Sequence, residues 1–160
     1  MNTHKKLIDL LKDFDTAMLV TRSVEGAINA RPMAVAQVEP DGQLWFVTER
    51  SSGKVSDVAL DSEVAVTMQA SNKFVSISGT AHPSDDQAKL DELWSEGWKV
   101  WFPDGKSSEK ILLLRIEPSR GEYWDHSGLT GVKYLLKAGT AYLQGERPAT
   151  DAATNASVSM

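Results

Sequence analysis

Ile28-Asn29-Ala30-Arg31-Pro32-Met33-Ala34-Val35-Ala36-Gln37-Val38, then Glu39-Pro40-Asp41-Gly42, then Gln43-Leu44-Trp45-Phe46-Val47-Thr48-Glu49-Arg50-Ser51-Ser52-Gly53-Lys54 read as one unit. Two apolar runs flank a turn signal, the pattern of a β-hairpin. With Glu39 to Gly42 as the loop, Val38 faces Gln43 and Arg31 faces Arg50. With Asp41-Gly42 alone turning, Arg31 faces Ser52. Either way the parity puts Arg31, Met33 and Val35 on one face with Phe46, Thr48 and Arg50. Two arginines directly opposite repel, and an anion between them removes that penalty. Ser52 to Leu60 reads as a short helix with Ser51 or Ser52 as its N-cap, which sets free N–H groups beside Lys54. The far end thus gathers Arg31, Arg50 and Lys54 with the hydroxyls of Thr48, Ser51 and Ser52. It reads either as a site for one anion or as a solvated hairpin end.

The rest of the composition sharpens that contrast. The chain has 160 residues and a formal net charge of −5, so a basic cluster stands out on it, and a general nucleic-acid binder is not expected. No apolar stretch approaches the ~20 residues a membrane span needs. Met1 to Phe14 is amphipathic, interrupted by Asp9, Lys12 and Asp13, and does not read as a signal peptide. Cysteine is absent, which excludes disulfides, thiolate metal sites and cysteine nucleophiles and makes the cytoplasm the expected location.

Working outward, Thr3 can cap a first helix with Leu7, Ile8, Leu10, Leu11 and Phe14 as its apolar stripe. Strands are expected over 17–21, 28–38, 44–48, 64–69, 74–81, 111–117 and 121–125, the last two separated by Pro118-Ser119. Residues 83–101 read mainly as helix, and 129–143 as partly helical, interrupted by Gly139. Short links between most strands argue for a mainly antiparallel sheet closed into a small barrel with peripheral helices rather than a βαβ layout. One domain over 1–143 is expected. From Gln144 the sequence turns to Ala, Thr, Ser, Asn and Pro, and 144–160 is expected to be a flexible tail.

Other constellations are less specific. Trp94, Trp98 and Trp101 fall at i, i+4 and i+7 with Leu90 extending the face. That is core packing, a dimer contact, or an aromatic wall for a planar ligand. Trp124, in Tyr123-Trp124-Asp125-His126, either stacks at a ligand or closes a barrel mouth. Ser76 and Ser78 alternate with Val75 and Ile77 and line a site or face water. His4, His82 and His126 lack metal-ligand spacing, so no metal site is expected. No nucleophile elbow, dinucleotide fingerprint or P-loop pattern occurs.

Arg31-Pro32-Met33, Phe46-Val47-Thr48 with Lys54 six residues later, and Val75-Ser76-Ile77-Ser78-Gly79-Thr80-Ala81 resemble, in order and spacing, the FMN-binding split-barrel family. Lys99-Val100-Trp101-Phe102-Pro103-Asp104-Gly105-Lys106 and Arg115-Ile116-Glu117-Pro118 with Glu122-Tyr123-Trp124-Asp125 are similar to its general stress protein 26-like branch, related to pyridoxamine 5′-phosphate oxidase. The resemblance covers roughly residues 5–126. It implies a mainly β fold: a six-stranded antiparallel split β-barrel that dimerises and holds FMN at the subunit interface. Arg31, Pro32, Met33 and Ala34 would run along the flavin, and Val47 and Thr48 would flank it. Ser51, Ser52 and Lys54, with Arg31 or Arg50, would hold the phosphate. Phe74 and Ser76 would lie near the ring or ribityl chain, and Trp124 and Trp101 would reach in from the other subunit. The oxidase's substrate-binding C-terminal arginine and histidine have no counterpart, so pyridoxamine 5′-phosphate oxidation is not expected; Phe74 replaces a polar residue the oxidase uses near FMN, so flavin contacts are expected to differ there. Three readings remain open: an FMN-dependent oxidoreductase met transiently by NAD(P)H or a small substrate, a non-catalytic flavin-binding stress or sensor module, and a dimeric barrel binding another anion.

Overall fold

The computed structural model describes residues 1–147 and 151–160. Its elements run α1 (Thr3–Leu11), β1 (Thr16–Arg22), β2 (Ile28–Val38), β3 (Leu44–Glu49), α2 (Gly53–Leu60), β4 (Glu63–Gln69), β5 (Lys73–Ser84), α3 (Gln87–Leu93), β6 (Ile111–Asp125), α4 (Gly128–Gln144) and β7 (Asn155–Ser159). The sheet order is β3-β2-β1-β4-β5-β6-β7, all neighbours antiparallel, and a further β3–β6 pairing closes the first six strands into a barrel. β6 makes closure possible by its length: its first half pairs with β3 and its second half with β7, while β5 follows it along both.

Alternation along the strands fills the barrel. Ala17, Leu19, Met33, Phe46, Val66, Val75, Ile77, Leu114, Ile116 and Tyr123 are buried together, and α1 contributes Leu7, Leu10 and Leu11. The helix is capped by the Asn2 side chain, which accepts from the Lys5 N–H at 3.0 Å, not by Thr3 as expected. A second cluster lies outside the barrel, where Trp45, Leu90, Phe102, Ile111 and Leu113 pack with Trp94 and Trp98.

Three expectations are corrected. First, β6 is continuous through Pro118 because a bulge opposite Ser78 and Gly79 absorbs the extra residue. A Cβ on Gly79 would collide with the Glu117 carbonyl oxygen and lie 2.9 Å from the Pro118 Cα. Gly79→Ala is therefore expected to lose about 2 kcal/mol of stability, read from the shift of the urea midpoint.

Second, residues 83–101 do not form one helix. β5 extends to Ser84, with Pro83 tolerated because the register with β4 ends at Thr80 and leaves that edge free of a ladder partner. α3 stops at Leu93, Trp94 is extended (φ −53°, ψ 133°), and Glu96–Val100 forms a 3-10 turn. The tryptophans therefore do not share one helical face. Trp94 and Trp98 meet edge to face at 5.7 Å, and Trp101 is turned outward, 71% exposed.

Third, the segment expected to be a loose tail returns to the sheet as β7. Asp125 N–H donates to the Thr154 carbonyl (2.8 Å), Val158 joins the core, and Thr154 is buried. Residues 148–150 of that segment lie outside the described residues.

Candidate functional site

β2 and β3 begin as a hairpin and then part. Their register runs Val38–Leu44, Gln37–Trp45 and Val35–Phe46, with a bulge at Ala36, and goes no further. Beyond it, β2 follows β1 (Ala34–Thr16 to Ile28–Arg22) while β3 follows β6 (Val47–Leu113, Thr48–Leu112, Glu49–Ile111). The divergence opens a cavity of about 370 Å³ lined by Pro32, Met33 and Ala34 on one side and Val47, Thr48 and Glu49 on the other. Lys54 also lines it, and Trp98, Trp101 and Phe102 form a wall.

The split also separates the two arginines expected to face each other. Arg50 turns to the outside. Its guanidinium pairs with Asp85 and donates to the carbonyls of Glu109 (3.0 Å) and Ile111 (3.0 Å). Ser51 lies on that outer side, sharing a shallow pocket with Arg50 and Lys110. Arg31 turns the other way, donating to the Thr21 hydroxyl (2.7 Å) and lying 3.5 Å from Asp57 Oδ2. Thr21 donates in turn to the same carboxylate at 2.7 Å. Thr21 sits on the inward parity of β1 after Ala17 and Leu19, where an apolar residue would pack; its hydroxyl is satisfied by this network instead.

Lys54 donates to the buried Thr48 hydroxyl at 2.9 Å, and the Ser52 hydroxyl lies 3.3 Å from the same oxygen. Burial first, and the nearby Arg31 guanidinium second, push the Lys54 ammonium below the ordinary lysine value, with Glu49 opposing. Two cations held close enough to disfavour each other are a partner for an anion. Ser52 is the backbone N-cap of α2, yet its hydroxyl does not cap the first turn, leaving that turn for another acceptor.

Thr48 and Lys54 thus stand together in the cavity's lining with the Ser52 hydroxyl and the Arg31 guanidinium beside them, while Pro32, Met33, Ala34 and Val47 also line it. Trp101, expected from a second subunit, lines the cavity of its own chain. Phe74, Ser76 and Trp124 are elsewhere. Phe74 pairs directly with Trp124 across β5 and β6, and Ser76 follows Pro32, Met18 and Thr67 along the register. Three strand spacings, roughly 14 Å along the sheet, separate Ser76 from Pro32. Sequence reasoning missed Phe102, Thr21 and Asp57, while Trp98 belonged to the aromatic face whose readings included a wall for a planar ligand. Thr21 had a signal in its inward parity, and Asp57 in its place one turn after Lys54. Phe102 was hidden by the helical reading of the segment that precedes it. Among the described residues no cluster of three or more His, Asp or Glu is arranged to hold a metal ion. No described helix is long and apolar enough to cross a membrane.

Comparison with known proteins places the fold in a family. No curated protein matches the chain. Among solved structures, a candidate general stress protein 26 from a Jannaschia species is 26% identical with a TM-score of 0.72, covering 97% of this chain and 96% of that one. A general stress FMN/FAD binding protein from Xanthomonas citri is 29% identical with a TM-score of 0.67, covering 79% and 90%. The general stress protein 26 of Bacillus anthracis, at 20% identity and a TM-score of 0.69 over 77% and 94%, shares the fold. The family described as pyridoxamine 5′-phosphate oxidase like matches residues 2–149. This chain, a six-stranded split barrel with an added strand and flanking helices, belongs to the pyridoxamine 5′-phosphate oxidase-like family.

Proposed function

We propose that the protein is an FMN-binding flavoprotein of the general stress type, working as a cytoplasmic homodimer. The observation that carries this reading is the parting of β2 from β3. It makes a largely apolar slot in which the Lys54 ammonium and the Thr48 and Ser52 hydroxyls cluster together. That polarity suits a flat ring system attached to a phosphate, and about 370 Å³ falls within the ~300–1,000 Å³ range of small-molecule sites. Lys54, Arg31, Thr48 and Ser52 would hold the phosphate. Pro32, Met33, Ala34 and Val47 would lie along the ring, with Trp98, Trp101 and Phe102 as the opposing wall. The X. citri protein, described as FMN/FAD binding, supports flavin as the ligand class.

Phe74, Ser76 and Trp124 cannot reach this slot within one chain. In the proposed dimer they complete the slot of the second copy. When bound, FMN supplies hydride or electron transfer. The chain's own part is to bind the phosphate, orient the ring and exclude water. Among the described residues of one chain, Glu49 and Lys54 are the ionisable side chains in the slot's lining.

Titration with FMN, followed by quenching of flavin and tryptophan fluorescence, is expected to give saturable binding at one flavin per chain. Failure to saturate, with binding of a different anion to the same residues, would favour the plain anion-binding barrel. Anaerobic bleaching of the bound flavin by NADH or NADPH, followed by turnover with an acceptor, separates an oxidoreductase from a non-catalytic module.

A further inference from the structure

Helix α4 presents an apolar stripe that nothing among the described residues covers. Leu129, Val132, Leu136 and Leu143 share one face, flanked by Leu135 and Tyr142, and these six are between 54% and 85% exposed. Seventeen residues make a helix of about 25 Å. The stripe offers on the order of 800 Å² of exposed surface, about what one partner buries in a standard interface and above the few hundred Å² common on monomers. Gly139 lies on the same face. A Cβ there would meet nothing within 4 Å, so this chain gives no packing reason for a residue that disfavours a helix interior. A surface that approaches the helix closely would supply one.

Outside α4, Val24 (75% exposed), Ile28 (68%) and Leu60 (67%) are also uncovered, but the exposed pair next to the slot is Val100 (78%) and Trp101 (71%), and Trp101 lines it. α4 begins four residues after Trp124. If Trp124 completes the second copy's slot, α4 leaves the sheet at that slot's rim, where the copy's Val100 and Trp101 stand uncovered. The only charged residues of α4 are Lys133 and Lys137, on an otherwise acidic chain.

We infer that α4 of one copy lies along the rim of the other copy's slot, covering Val100 and Trp101, so that each helix forms part of the entrance to its partner's ligand site. This rests on the dimeric reading above, and the test separates the two. Because the chain has no cysteine, introduced thiols report without background. Leu129→Cys protein mixed with Val100→Cys protein and mildly oxidised is expected to give a covalent dimer, with neither variant alone doing so to a comparable extent. Leu135→Glu/Leu136→Glu, substitutions at exposed positions, is expected to leave the circular dichroism spectrum intact and weaken FMN binding by tenfold or more.

A wild-type chain that sediments as a monomer even when saturated with FMN overturns both the dimer and the helix placement. A wild-type dimer with no mixed cross-link and unaltered FMN affinity in Leu135→Glu/Leu136→Glu overturns the helix placement alone. Flotation of the wild-type protein with phosphatidylcholine vesicles, abolished by Leu135→Glu/Leu136→Glu, would assign the stripe to a lipid surface and overturn the placement as well.

Discussion

Lys54→Met is expected to lower FMN affinity by at least about tenfold and at the same time to make the ligand-free protein more stable. The first effect follows from losing a charge-assisted hydrogen bond, worth about 1.5–3 kcal/mol, and a factor of ten needs about 1.4 kcal/mol. The second follows from the direction of the Lys54 shift. Burial and Arg31 disfavour its charged form in the folded protein. Between its lowered pKa and the ordinary lysine value, the unfolded chain therefore binds more protons than the native state, and stability rises with pH across that window. Methionine keeps much of the stem's packing and removes the charge. The wild-type ligand-free protein should gain stability on going from neutral to alkaline pH, and this component should be missing in Lys54→Met. Bound phosphate reverses the balance by favouring the ammonium, so FMN affinity should fall as pH rises through the Lys54 titration. Urea midpoints with and without FMN across this range check both signs. A variant that is less stable without ligand would show that Lys54 serves the fold rather than an anion.

Asp125→Ala is expected to destabilise the fold by about 3 kcal/mol, near the low end for breaking a buried ion pair because Lys6 keeps some contact with water. Asp125 is 6% exposed and accepts from Lys6 Nζ at 2.8 Å, from the Ser127 N–H at 2.9 Å and from the Ser127 hydroxyl at 2.5 Å. Lys6 also donates to the Ala153 carbonyl at 2.6 Å. One carboxylate therefore ties the end of β6 to α1, to the start of α4 and to the return into β7. Burial acts to raise its pKa, but the Lys6 and Ser127 donors outweigh it and the net shift is downward. The sign is then that of a depressed carboxylate. The stabilisation is present above the ordinary aspartate value and is lost as pH falls through the lowered folded value. The wild-type protein should show that acid-side loss, and Asp125→Ala should lack it. Hydrogen exchange over Asn155–Ser159 should accelerate in the variant, because the lost contacts are those that dock the segment leading into β7.

What was readable in the sequence was local. The hairpin, its turn and the strand 28–38 follow from alternation and from Asp41-Gly42, and the antiparallel class follows from the short links. The gathering of Thr48, Ser52 and Lys54 was readable too, since a strand end running into a helix start keeps those residues close whatever the rest of the chain does. Arg31 was gathered with them by the hairpin parity, and the fold keeps it near Lys54 while turning Arg50 away. Extending the hairpin register by rule pairs Arg31 with Arg50, but the β2–β3 ladder ends just past the Ala36 bulge. Beyond it β3 keeps only its β6 neighbour and β2 only its β1 neighbour, so Arg31 and Arg50 part.

Partners distant in the chain also decided how Pro118 and the C-terminal segment fold. Pro118 looked like a strand break because the bulge that absorbs it depends on Gly79, some forty residues away in the chain. The tail looked dispensable because its small polar residues carry little hydrophobic signal, and only an open edge of β6 gives them a ladder. The sequence by itself determined the strands, their alternation and the anion-seeking chemistry at one strand end, because those depend on neighbours in the chain. Which strands pair, and so where β2 parts from β3 to make the slot, was decided by tertiary structure, because the ladders that close the barrel, β3 with β6 above all, join residues far apart in the chain.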